Sequence, residues 1–151
     1  MATELERKFK LINEKIPVGH LVPQYIKQAY LMLVGKKQLR VRIVNDCEAY
    51  ICFKAPDGNS GIKRNEFEFQ IPISEGREMY ELAEYKLEKV RYTFAWGVLH
   101  CDCDYYPNGL QIVELEYKEG DVFEIPDFCG EELTNKKECS NIYMAVNGTW
   151  K

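Results

Sequence analysis

The sequence has no apolar run of 18 residues, no Cys-x-x-Cys pair, no internal repeat and no low-complexity or linker-like Pro/Gly/Ser tract. The first absence removes a membrane-spanning helix. Glu4, Glu6, Arg7 and Lys8 stand where a signal peptide would need an apolar stretch, so the chain is expected to stay in the cytoplasm. The cysteines at 47, 52, 101, 103, 129 and 139 are then expected to be reduced and mostly packed, with no zinc site. Positive charge is also in short supply, for the formal net charge is −4. That argues against an open basic face for duplex nucleic acid, and an anionic ligand would need a locally basic pocket. Neither nucleic acid nor a membrane is expected as a partner. No dimer patch stands out either, which leaves monomer or homodimer.

What is present fits one domain over residues 1–151 with a single core, at 46% hydrophobic and 29% charged residues. Turn signals at Asn45-Asp46, Pro56 to Gly61 and Pro107-Asn108-Gly109 separate segments of period two, as hairpin connections do. Eight strands are expected: Thr3 to Leu11, Gln24 to Val34, Gln38 to Val44, Ala49 to Lys54, Lys63 to Pro72, Glu88 to Ala95, Val98 to Tyr105 and Gly109 to Tyr117. Ser74, followed by Glu75 and Arg77, looks like the N-cap of a helix carrying Met79, Leu82, Ala83 and Leu87. One or two short helices are expected after Gly120, one of them near Ser140 to Val146.

Alternation along these strands sorts charge from apolar side chains. Glu4, Glu6 and Lys8 oppose Leu5 and Phe9, with Arg7 as the exception, and Arg40 and Arg42 oppose Leu39, Val41 and Ile43. Lys54 opposes Phe53, and Arg64, Glu66 and Glu68 oppose Phe67 and Phe69. Lys89 and Arg91 oppose Val90 and Tyr92, Asp102 and Asp104 oppose Cys101 and Cys103, and Glu114 and Glu116 oppose Val113 and Leu115. The plain alternative is an open antiparallel sheet with one wet face and one face packed on helices. Paired like signs at i and i+2, where a solvated face would mix in Ser, Thr, Gln and Asn, favour a ligand that bridges them. Eight strands are also enough to close on themselves around a charge-lined lumen.

At Glu4-Leu5-Glu6-Arg7-Lys8-Phe9 the chain carries a Glu-x-Glu-x-Lys signature and resembles the CYTH superfamily, the triphosphate tunnel metalloenzymes. The resemblance continues in order through Tyr30, Leu39 to Arg42, Phe53-Lys54, Arg64 to Glu68, Glu88 to Tyr92, Val113 to Tyr117 and Phe128 to Thr134. It implies an α+β fold, mainly antiparallel β: an eight-stranded closed tunnel barrel with a few helices packed outside. One segment departs from the pattern. Across His100 to Tyr106, Asp104 is aligned with the family aspartate, and Asp102 is the other reading.

The implied chemistry suits the residues. A triphosphate calls for several cationic side chains, with Arg favoured for forked contacts, and Arg40, Arg42, Lys54, Arg64, Lys89 and Arg91 are the candidates. A hard cation, Mg²⁺ or Mn²⁺, calls for carboxylates, and Glu4, Glu6, Glu114 and Glu116, with Asp104, are the candidate ligands. A lysine crowded by cations or desolvated can act as a base, and the resemblance gives Lys8 that role together with Tyr30. An ordinary ion pair for Lys8 and a packed aromatic for Tyr30 are the alternatives. His20, His100, Glu131 and Glu132 receive no role.

The Glu-Leu-Glu-Arg-Lys-Phe opening is similar to the short microbial hydrolases of inorganic triphosphate, so metal-dependent hydrolysis of tripolyphosphate is the expected activity. A thiamine triphosphatase, a nucleoside triphosphatase, a class IV-type adenylyl cyclase or a non-catalytic polyphosphate-binding module would use the same strands.

Overall fold

The computed structural model describes residues 2–16, 21–58 and 63–151, with backbone alone at residues 2–4 and 63. His20 and part of the expected turn at 56–61 lie outside the described residues. Among the described residues there are nine strands: β1 (Ala2–Leu11), β2 (Gln24–Val34), β3 (Lys37–Val44), β4 (Glu48–Pro56), β5 (Lys63–Ile71), β6 (Tyr85–Trp96), β7 (Leu99–Tyr105), β8 (Gln111–Tyr117) and β9 (Cys129–Glu132). Helix α1 (Ile73–Leu82) lies between β5 and β6, and α2 (Asn141–Asn147) is near the C-terminus. No described helix is long and apolar enough to cross a membrane.

The strands form one antiparallel sheet in the order β5-β4-β3-β2-β6-β7-β8-β1-β9. Asn45 and Asp46, both at φ 53°, make the tight β3–β4 turn, a conformation these two residue types tolerate well. β1 organises the seam between the ends of the sheet. One of its edges pairs with β8 from Leu5 to Lys10. Its other edge is divided, with Ala2 to Leu5 against β5 and Phe9 and Leu11 against β9. The expected closed eight-stranded barrel is therefore corrected. A ninth strand takes part of the edge that closure would need, and β1 meets β5 over four register pairs, Ala2↔Glu66 to Leu5↔Lys63.

The apolar strand faces build the core. Phe9, Leu99, Cys101, Cys103, Val113 and Leu115 pack with Phe128 from the loop before β9. On β3 and β4, α1 covers the apolar side, and it comes so close that a Cβ on Gly76 would lie 2.3 Å from the Ala49 Cβ. The helix starts at Ile73 behind Pro72, with no side-chain cap, so Ser74 lies in the first turn instead of capping it. Proline can lead in because its φ is already close to helical, and the Gly76 amide donates to the Pro72 carbonyl at 3.0 Å.

Helix α2 does begin behind Ser140, whose hydroxyl accepts from the Tyr143 amide. Its placement corrects the expectation of helices packed outside. Met144 and Ala145 pack with Tyr30, Leu87 and Ile112. Leu87 and Ile112 continue the strand parity of Lys89 and Glu114, so α2 caps one end of the charged face.

Candidate active site

Strand register brings the charged side chains together. Glu6 lies directly opposite Glu116 and Lys8 opposite Glu114, while Asp102 pairs with Glu114 on the other side of β8. The carboxylates of Glu6, Glu114 and Glu116 approach within 4.8 Å of one another. Like charges in cross-strand register repel, so this all-oxygen set fits a hard divalent cation, which would neutralise it. Glu4 belongs to the same strand, but its side chain lies outside the described residues.

Asp104 stands apart from that set. It is fully buried, and its Oδ1 accepts from Arg91 Nε at 2.7 Å while Oδ2 accepts from Arg91 Nη2 and Lys89 Nζ, both at 2.8 Å. Both oxygens are thus taken up by cations, which corrects its assignment as a metal ligand. Asp102 instead accepts from the Thr93 hydroxyl at 2.7 Å and lies 3.3 Å from both His100 Nε2 and Arg91 Nη1. Burial alone would push the Asp102 carboxyl up, but Arg91, followed by His100, holds it down at about 2. Glu114 behaves similarly. Burial opposes its charge, yet Lys8, Arg91 and Lys89 keep it well below the usual carboxylate range.

The cations divide into two groups. Lys89 and Arg91 are tied to Asp104, and burial brings the Lys89 ammonium down to about 8 against the pull of that carboxylate. Arg42 Nη2 reaches both Glu68 oxygens at 2.8 Å, and Lys54 Nζ lies 3.5 Å from Glu66. The Nε groups of Arg40 and Arg42 are nevertheless buried without a hydrogen-bond partner. Buried donors are normally satisfied, so these two mark places where an anionic ligand would complete the site. Cys52, expected merely to pack, lies on this same face and donates to Glu66 at 3.4 Å.

A chamber of about 70 Å³ occupies the middle of the face, walled by Arg40, Arg42, Lys54, Arg64, Lys89, Arg91, Glu6, Glu114, Glu116, Lys8 and Tyr30. It shares Lys54, Arg64 and Ser140 with a wider cavity of about 550 Å³ beside α2. At the other end it shares Arg42, Glu66, Arg91 and Glu116 with one of about 460 Å³. Every substrate-binding and catalytic residue singled out in the sequence therefore meets in one chamber.

Lys8 Nζ lies 3.6 Å from Glu114 and donates to the Cys139 carbonyl at 3.4 Å. Its backbone is bracketed as well, with Lys8 N donating to Thr134 Oγ1 at 3.1 Å and Leu133 N donating to Lys8 O at 2.7 Å. Sequence reasoning passed over Gln28, Gln38 and Asn141, which also line the chamber. Gln28 and Gln38 share strand parity with Tyr30 and Arg40, the signal that could have found them. Asn141 Oδ1 accepts from Lys89 at 3.5 Å and from the Tyr106 hydroxyl.

A basic chamber with an acidic cluster on a single antiparallel sheet defines the class, and the chain belongs to the CYTH domain family, matched over residues 2–143. The inorganic triphosphatase of Acetivibrio thermocellus is 31% identical over 156 residues, covering 97% of this chain and 96% of that one. Among solved structures, the hypothetical protein NE1496 shares 27% identity at a TM-score of 0.63, covering 95% of this chain and 97% of its own. A Hippeastrum protein described as having a dominant triphosphatase activity shares the fold at a TM-score of 0.55 and 15% identity, over 79% of this chain and 80% of that one.

Proposed function

We propose that this chain is a divalent-metal-dependent hydrolase of inorganic triphosphate, working in a tunnel through the charged face of the sheet. The carrying observation is that the partnerless Nε groups of Arg40 and Arg42 share a chamber with the Glu6–Glu114–Glu116 cluster. The short β1–β5 pairing supports the tunnel, since it brings strands from opposite sides of the sheet together over four register pairs without closing it. The relative from Acetivibrio thermocellus supports the substrate. Six free thiols suit a reducing compartment such as the cytoplasm.

In this reading Arg40, Arg42, Lys54 and Arg64 bind phosphate oxygens, with Lys89 and Arg91 adding positive field from their anchors on Asp104. Glu6, Glu114 and Glu116, with Glu4, would hold Mg²⁺ or Mn²⁺. Bound there, the ion would neutralise phosphate charge and favour attack by water. Lys8, in its unprotonated amine form, takes up the proton of the attacking water to become the ammonium, and Tyr30 hydrogen-bonds the reacting phosphate. Confinement supplies the rest, because phosphoryl transfer depends mostly on positioning and charge. A phosphate-release panel with triphosphate, ATP and thiamine triphosphate under Mg²⁺ or Mn²⁺, with cyclic nucleotide detection alongside, tests the proposal. Release from triphosphate above the other two is expected, and no turnover with either metal would leave a binding module instead.

A further inference from the structure

We propose that Gln28 is a positioning residue for the Tyr30 phenol. The proposal rests on the triphosphatase reading and deepens it at one side chain. Strand β2 runs between β3 and β6 and contributes no charge to the chamber, yet Gln28 and Tyr30 both line it. Gln28 is 1% exposed and Tyr30 is 3% exposed. Two residues apart on one strand, they project to the same side, and Gln28 Nε2 donates to the Tyr30 hydroxyl oxygen at 2.9 Å.

The direction of that bond has a consequence. With an amide N–H on the phenolic oxygen, the Tyr30 proton must point elsewhere. Its cross-strand neighbours are Arg40, whose guanidinium has donors and no acceptor, and Tyr85, with which its hydroxyl makes no hydrogen bond. Among the described residues the Tyr30 hydroxyl donates to no protein group. The proton is left for an acceptor within the chamber, which is where a phosphate oxygen would lie. Gln28 thus holds the ring against the wall and turns its hydroxyl toward the substrate, without touching the reacting atoms itself. An apolar side chain at position 28 would fill the same space and leave the hydroxyl free to rotate.

The test is a double-mutant cycle on triphosphate hydrolysis with Mg²⁺, using Gln28→Met, Tyr30→Phe and the pair, with unfolding midpoints recorded alongside. Gln28→Met should lower kcat about tenfold while KM stays within about twofold, and should cost nothing further in the Tyr30→Phe background. Gln28→Glu, which places an acceptor where the donor was, should lower kcat at least as far, and it carries the test if the methionine variant fails to fold. Independent, multiplying losses in the double mutant, or an unchanged kcat in the single variant that folds, would overturn the proposal. So would full activity of Tyr30→Phe. A wild-type chain that releases no phosphate from triphosphate would instead remove the function on which the proposal stands.

Discussion

Asp104→Asn should unfold the protein far more readily than its conservative appearance suggests. The wild-type carboxylate accepts three charge-assisted hydrogen bonds at 2.7 to 2.8 Å from Arg91 and Lys89, in a site with no solvent access at its side chain. The amide retains one acceptor, and its N–H₂ group then faces a donor in either orientation, Arg91 Nε in one and Arg91 Nη2 with Lys89 Nζ in the other. Breaking a buried ion pair from one side costs about 3–5 kcal/mol. At this chain length that corresponds to a fall of roughly 6–20 °C in the unfolding midpoint. The loss should also depend on pH. Lys89 already has its ammonium down at about 8 against an ordinary 10.5, so the unfolded state binds more protons between those values and stability there rises with pH. Without the carboxylate the folded value falls further, and the variant begins to gain stability at a lower pH. Denaturant titrations at pH 7 and pH 9 should therefore show the gap between wild type and variant narrowing at the higher pH. A loss below about 1 kcal/mol, or a gap unmoved by pH, would refute this account of Asp104.

Two further perturbations separate the carboxylate cluster from the scaffold. Glu116→Gln removes one carboxylate of the three that converge and should raise the Mg²⁺ or Mn²⁺ concentration for half-maximal activity by about 10- to 100-fold, measured by metal titration of phosphate release at saturating triphosphate. Gly76→Ala places a methyl group 2.3 Å from the Ala49 side chain, so α1 must lift from β4, and calorimetry should register a loss of about 1–3 kcal/mol with the cluster's metal affinity unchanged.

Alternating charge made most of the chamber legible, because a strand cannot hide which residues share a side. Arg40 and Arg42, Lys89 and Arg91, and Glu114 and Glu116 all meet where their parity put them. What escaped has identifiable causes. Gln28 carries no charge, so a search for ionic faces passed over it. Asp104 has the same parity as the clustered glutamates, and only the third dimension reveals that Lys89 and Arg91 take up both its oxygens. The four residues of β9 are too few to show alternation, and with them went the divided edge of β1. The position of α2 was not legible, because Leu87, which the sequence assigns to a helix, lies on β6 and joins Ile112 and Met144 in one cluster.

The bracketing of Lys8 by Leu133, Thr134 and Cys139 makes β1 and the segment after β9 a single mechanical unit. An ammonium on β1 takes its aim from a stretch laid down 126 residues later. A ribosome must therefore have passed Cys139 before that lysine can be seated, and a nick after Glu132 would silence it while leaving every charged wall of the chamber intact.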